Sequence, residues 1–129
     1  MRYLVCLVLG AIVGALFAMT LANALQRRNA WPRALMNVMQ HELGDARAAA
    51  KGTCPSPILQ RTSSHLRLFG DDLEPALLTP GSSDRVLRQY IGDFRKAVSA
   101  WDPAVDCRQQ AEALTAIANA CEACHRDYR

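Results

Sequence analysis

The sequence predicts an all-α fold, an up-down-up-down bundle of four helices that follows one N-terminal apolar helix. Apolar side chains recur at steps of three and four residues through most of the chain, as on the buried face of a helix. No stretch alternates apolar and polar residues as a half-buried strand does. Prolines, glycines and capping residues divide the periodic part into four segments, and most of the connections suit antiparallel neighbours.

The first segment, residues 4–25, carries no charged side chain. As a helix it would span about 33 Å, enough for the hydrocarbon core of a membrane. An A-x-A sequence ending at Ala24 also matches a signal-peptidase site, so residues 1–25 are either an uncleaved anchor or a signal peptide. The length of the run favours an anchor, whereas the arginines just after it conflict with the positive-inside rule. Both interpretations export residues 27–129, which we predict to be one domain.

The first helix of the predicted bundle covers residues 34–51, with Pro32 near its start and Gly52 after it. Five residues form its apolar stripe: Met36, Met39, Leu43, Ala46 and Ala50. The second predicted helix is short, residues 58–69. Residues 70–83 contain adjacent aspartates, two prolines and glycines, which predicts a long loop.

Ser83 and Asp84 can cap the third helix, which keeps a helical apolar period as far as Trp101. Its basic residues are interpreted as a solvated face, with a docking patch for an acidic partner as the alternative: Arg85, Arg88, Arg95 and Lys96. Asp102 followed by Pro103 predicts the start of the fourth helix. The stripe of that helix contains Cys107, Ala111, Leu114, Ala118, Cys121 and His125.

The fourth helix ends in Cys121, Cys124 and His125, whose C-x-x-C-H spacing is an attachment signal for c-type haem. Each cysteine can add across one vinyl group of the porphyrin, and the adjacent imidazole can ligate iron. A redox dithiol or half of a zinc site would use the same residues. The first is typical of a βαβ unit and the second needs another ligand pair, and neither fits this chain. We therefore predict one covalently bound haem c.

Up-down topology would place the start of the first bundle helix beside the end of the fourth. Met36 should then lie near the depth of His125, where its thioether can be the distal iron ligand. Met39 is the alternative, and both methionines can instead be core filling. At the opposite end, the same topology brings Cys54 close to Cys107, which predicts a disulfide, with two unrelated thiols as the other interpretation.

The remaining features of the sequence narrow the range of possible functions. A net charge of +3 at pH 7 is too small to indicate nucleic-acid binding. No convergent acid–base pair or activated nucleophile is visible, which argues against an enzyme. His41 and His65 are single mid-helix residues that are expected to be exposed or packed.

Four amphipathic helices with Cys121, Cys124 and His125 at the end of the last one resemble the cytochrome c prime family, including its low-spin relatives with a methionine ligand. The resemblance covers residues 27–129, and Tyr128-Arg129 is similar to the family's aromatic and basic ending. It implies two thioether attachments, His125 as fifth ligand and Met36 at the distal position. It also implies a periplasmic protein that often forms a homodimer. The short second helix, the additional cysteine pair and the N-terminal segment depart from the family.

The expected function is therefore that of a monohaem c-type cytochrome that carries single electrons. Its redox partner proteins would lie in the bacterial periplasm or in the inner membrane. The alternative is a five-coordinate haem protein that binds NO or CO in an apolar pocket. A third possibility is a structural or zinc-binding helical domain without haem.

Overall fold

A computed structural model describes the backbone of residues 2–79, 81 and 83–128, and most of their side chains. In this part of the chain there are four helices and no β-strand, which confirms the predicted all-α class. They are α1 (Arg2–Ala49), α2 (Pro57–Leu77), α3 (Arg85–Ala100) and α4 (Cys107–Asp127). The chain divides into two compact units, Met1–Arg33 and Ala34–Arg129.

The first unit is the N-terminal part of α1. Its segment Leu7–Ala24 is long and apolar enough to cross a membrane, and none of it is buried. A signal sequence passes the same test, so the segment fits both an anchor and a signal peptide. Pro32 lies inside α1, which corrects the separate helix that we predicted from residue 34. The fixed φ of proline is compatible with a helix, and its missing N–H removes one backbone hydrogen bond from α1.

The second unit buries one face of α1. Its buried stripe matches the predicted one except at its start, where Leu35 is 3% exposed and Met36 is only half-buried. The stripe therefore begins one residue earlier than predicted, and Met36 lies at its edge.

The second helix is not short, because α2 continues through most of the predicted loop to Leu77. Leu73 and Leu77 extend its apolar face, and Leu73 is buried. Gly70 is also buried, within van der Waals reach of Phe94 and Arg95 of α3. Packing against α3 thus favours a helix where the local composition favoured a loop.

Pro75, inside α2, would ordinarily leave the carbonyl of Asp71 without a donor, because proline has no N–H. Arg95 of α3 supplies that donor. Its guanidinium bonds to the carbonyls of Gly70 at 2.8 Å and Asp71 at 3.3 Å. Arg95 is therefore part of the α2–α3 interface and not simply a solvated cation as we had interpreted it.

The fourth helix begins at Cys107 with Asp106 as its N-cap, four residues later than the predicted cap at Asp102. The connection before it is held by the fully buried Gln110. The Gln110 amide oxygen accepts from Trp101 Nε1 at 2.5 Å, and its amide nitrogen donates to two carbonyls of the connection. The carbonyls of Asp102 and Val105 thus accept hydrogen bonds from a buried glutamine, and the helix begins only after these residues.

A buried carboxylate, which the sequence pattern placed off the stripe, joins α1 to α2. Glu42 is only 9% exposed and accepts a hydrogen bond from Thr62 Oγ1 at 2.9 Å. Its other oxygen lies 2.8 Å from His65 Nδ1, and Arg61 is 4.0 Å from the carboxylate. His65 is thus packed at this interface, whereas His41 is exposed.

Acid should weaken this interface through Glu42. Burial by itself raises the pKa of Glu42, but hydrogen bonds from His65 and Thr62, together with nearby positive charge, hold it below 4.5. Such a carboxylate stabilises the fold fully above its unfolded pKa, and this stabilisation is lost as pH falls through the lower folded pKa. Glu42→Gln should therefore lower the free energy of unfolding most at neutral pH. The difference from the wild type should shrink below about pH 4.5.

Urea unfolding of the wild type and Glu42→Gln across this pH range measures the effect. Glu112→Gln on the exposed face of α4 is the matched control. A deficit that stays constant with pH would contradict the role given to Glu42.

Candidate functional site

The second unit contains a cavity of about 370 Å³ that is lined by residues of all four helices. Most of its wall is apolar, and includes Leu66 and Leu73 of α2, Ile91 and Phe94 of α3, and Ile117 of α4. A volume of this order is typical of pockets for small ligands and cofactors, which span roughly 300–1,000 Å³. The cavity is therefore large enough to hold a small ligand or a cofactor.

The three residues of the C-x-x-C-H motif line this cavity. Cys121, Cys124 and His125 are each half-buried in the last two turns of α4. They lie there because they continue the buried face of the helix, which runs through Leu114 and Ile117. Residues three and four apart share one face of a helix, so the spacing delivers both thiols and the imidazole to one wall.

The environment of the two thiols keeps them protonated. Burial raises the pKa of Cys121 above its ordinary value of 9.0, and Cys124 raises it further, while Arg47 opposes the shift. Burial also raises the pKa of Cys124. A reactive dithiol needs the opposite, a lowered pKa that yields a thiolate. The raised pKa of both thiols thus argues against a redox dithiol, which depends on a lowered thiol pKa.

A zinc site finds no support in the geometry. Among the residues that the structure describes, no group of three or more His, Cys, Asp or Glu side chains is placed to hold a metal ion. A tetrahedral zinc site takes four protein ligands when it is structural and three when it is catalytic.

Both candidate methionines of α1 line the same cavity as His125. Met39 is 7% exposed and belongs to the buried core, whereas Met36 is half-buried. The structure therefore brings Met36, Met39 and His125 to one cavity, with the methionines on the wall from α1 and the imidazole on the wall from α4.

The cavity is also lined by four polar residues that the sequence did not assign to the site: Gln40, Arg47, Tyr90 and Glu122. On α1 a signal was present, because Met36, Gln40, Leu43 and Arg47 follow one another at steps of four, three and four. Both Gln40 and Arg47 lie off the predicted apolar stripe of this helix. Tyr90 lies on α3, and nothing in the sequence pattern indicated a role for it at the site.

The second pair of cysteines is joined elsewhere in this unit. Cys54 and Cys107 are at disulfide distance, with 1.97 Å between the sulfurs and 5.2 Å between the Cα atoms, as the sequence predicted. The bridge connects the segment after α1 to the first residue of α4. It leaves Cys121 and Cys124 as the free thiols among the described cysteine side chains.

These residues fit a covalently bound haem. Two protonated thiols and an imidazole lie on one wall of an apolar cavity of cofactor size, and two thioethers lie on another. Neither protein-family models, nor curated proteins, nor solved structures contain a match to this chain.

Proposed function

We propose that this chain is a monohaem c-type cytochrome that carries single electrons. The observation that supports this most directly is the position of Cys121, Cys124 and His125, which line one mostly apolar cavity in C-x-x-C-H spacing. The resemblance of residues 27–129 to the cytochrome c prime family supports the same assignment.

An up-down-up-down bundle is part of the proposal. In its favour, α3 packs against both α2 and α4, and all four helices contribute to one core. The Cys54–Cys107 bridge joins the end of α1 to the start of α4, as antiparallel packing of these two helices requires. In such a bundle Met36 and His125 share one end.

Each residue has a defined role in this proposal. Cys121 and Cys124 hold the porphyrin through thioethers, and the neutral imidazole of His125 ligates the iron. Met36, which lines the same cavity, would supply its thioether as a second iron ligand, and the apolar walls would exclude water. A haem bound in this way supplies transfer of one electron, with a potential raised by the methionine.

Two further features support a location in an exported, oxidising compartment. The apolar segment Leu7–Ala24 supports export, either as a membrane anchor or as a signal peptide. A disulfide between Cys54 and Cys107 persists in an oxidising compartment such as the bacterial periplasm. The partners would then be redox proteins of the periplasm or the inner membrane.

A second candidate function is binding of NO or CO. The observation in its favour is the apolar lining of the cavity, because a diatomic gas can enter such a pocket when neither methionine ligates the iron.

Optical spectra of the oxidised and reduced protein, with and without CO, test the proposal and separate the two functions. We expect a low-spin reduced spectrum that CO leaves unchanged. Met36→Ala should convert the protein completely to a high-spin form that binds CO, because it removes the sixth ligand. Met19→Ala in the exposed N-terminal segment should behave as the wild type.

Three other results would each change the assignment. A low-spin spectrum lost in Met39→Ala instead would move the ligand to Met39. A high-spin wild type that responds to CO would favour gas binding. A purified chain that fails to stain for haem on a denaturing gel would rule out both functions.

A further inference from the structure

Two tyrosines and two aspartates connect the end of α4 to the start of α3. The hydroxyl of Tyr90 on α3 donates to Asp127 Oδ2 of α4 at 2.6 Å. In the other direction, the hydroxyl of Tyr128, the C-cap of α4, lies 2.9 Å from each carboxylate oxygen of Asp84, the N-cap of α3. The two rings meet edge to face with their centroids 6.2 Å apart. This tyrosine–aspartate cluster therefore crosses between the two helices twice.

The cluster adjoins the cavity. Tyr90 lines the cavity together with Cys124 and His125, while its hydroxyl bonds to Asp127, two residues after His125. A single side chain thus forms part of the cavity wall and also holds the turn that carries the imidazole.

Tyr128 closes the same turn through its main chain. Its N–H donates to the carbonyl of Cys124 at 3.0 Å, and its side chain is bonded to Asp84. Asp84 is itself fixed, because one of its oxygens accepts from the N–H of Leu87 at 2.9 Å. That bond, followed by the one from Tyr128, holds the pKa of Asp84 below its ordinary value. Tyr128 is therefore attached to an acceptor that does not move freely.

Helix ends are the part of a helix most prone to open, since their last carbonyls lack partners within the helix. The motif residues lie in this vulnerable region of α4, and a shift of the last turn would carry His125 with it. Hydrogen bonds from neutral donors to carboxylates are stronger than those between neutral groups. Groups outside the immediate ligands commonly set the orientation of a metal-binding histidine.

We propose that Tyr90 and Tyr128 are positioning residues that hold the last turn of α4, and with it the imidazole of His125, in one orientation relative to the cavity. The inference rests on the proposed function in treating His125 as an iron ligand. The ordering of the turn depends only on the contacts of the cluster.

The variants Tyr90→Phe and Tyr128→Phe, alone and combined, test this, because each keeps the ring and removes only the hydroxyl. Tyr3→Phe in the N-terminal segment is the matched control, since Tyr3 is 91% exposed. After the haem content is recorded, two quantities are measured. They are the hydrogen-exchange rates of the amides of residues 124–128, and the electron paramagnetic resonance g-values of the oxidised protein, which depend on the orientation of the imidazole.

We expect the combined variant to exchange severalfold faster in residues 124–128 and to show shifted g-values, with Tyr3→Phe unchanged in both. Asp127→Ala should reproduce Tyr90→Phe, whereas Asp127→Asn keeps an oxygen acceptor without the charge and should give an effect between those of the wild type and Asp127→Ala. A purely structural contribution to folding would lower the unfolding midpoint and leave the g-values unaltered.

Unchanged exchange rates in the combined variant would overturn the inference, and so would faster exchange with unaltered g-values. If the wild type contains no haem, the proposed function fails separately. The exchange rates alone then decide whether the cluster holds the turn, with faster exchange supporting it and equal exchange refuting it.

Discussion

Replacing Cys121 and Cys124 together with alanine should abolish covalent haem completely, so that the chain no longer stains for haem on a denaturing gel. Both thioether bonds would be lost, and a haem held only through iron ligands dissociates on denaturation. Mass spectrometry of the denatured chain provides a second measurement, because a covalent haem adds its own mass to that of the polypeptide.

The same double variant should also be much less stable. Without a covalently held haem, the mostly apolar walls of the cavity would lose the group that covers them. The free energy of unfolding of a typical domain is only about 5–15 kcal/mol, so the loss of these contacts should lower it measurably. We therefore expect the helices to loosen or collapse around the site, which far-ultraviolet circular dichroism in urea would detect as an early and broad transition.

A matched control uses the other cysteine pair, because Cys54→Ala with Cys107→Ala also removes two sulfurs but leaves the motif intact. That variant should still stain for haem on a denaturing gel. A Cys121→Ala, Cys124→Ala chain that retains the added mass would contradict the proposed attachment, and a wild-type chain without the added mass would contradict the proposed function.

Removing the disulfide should cause the second large effect, a loss of about 4 kcal/mol in the free energy of unfolding. Cys54 and Cys107 are separated by 53 residues, and closing a loop of that length in the unfolded chain accounts for about 4 kcal/mol in the chain-entropy treatment. Urea unfolding of Cys54→Ser with Cys107→Ser against the oxidised wild type measures the difference.

Reduced wild type serves as the control here, since it should unfold at nearly the same urea concentration as the double serine variant. The optical spectrum should hardly change, because the bridge and the motif use different cysteines. A difference in stability below about 1 kcal/mol would show that the bridge contributes little beyond the packing of the helices.

Several features of the fold could be predicted from the sequence because they depend on local pattern. The period of apolar residues determined where helices form, and Asp84 was correctly predicted as the cap of α3. The pairing of Cys54 with Cys107 needed one further step, since antiparallel neighbours bring the end of one helix beside the start of another.

The local pattern failed where a distant residue decided the outcome. Residues 70–77 have the composition of a loop, yet Arg95 satisfies the carbonyl that Pro75 leaves open, and α2 continues. Glu42 lies off the predicted apolar stripe, but Thr62 and His65 supply hydrogen bonds that allow its carboxylate to be buried. These hydrogen-bond partners cannot be inferred from the residues that are adjacent along the chain.

The candidate site shows the same division. The sequence by itself determined that two thiols and an imidazole share one helical face, because C-x-x-C-H spacing places them three and four residues apart. Only the tertiary structure decided that Arg47 and Tyr90 line the same cavity, and that Tyr90 and Tyr128 bond to aspartates at the neighbouring helix. The physical reason is that a helical period specifies which residues share a face, whereas packing between helices specifies which faces meet.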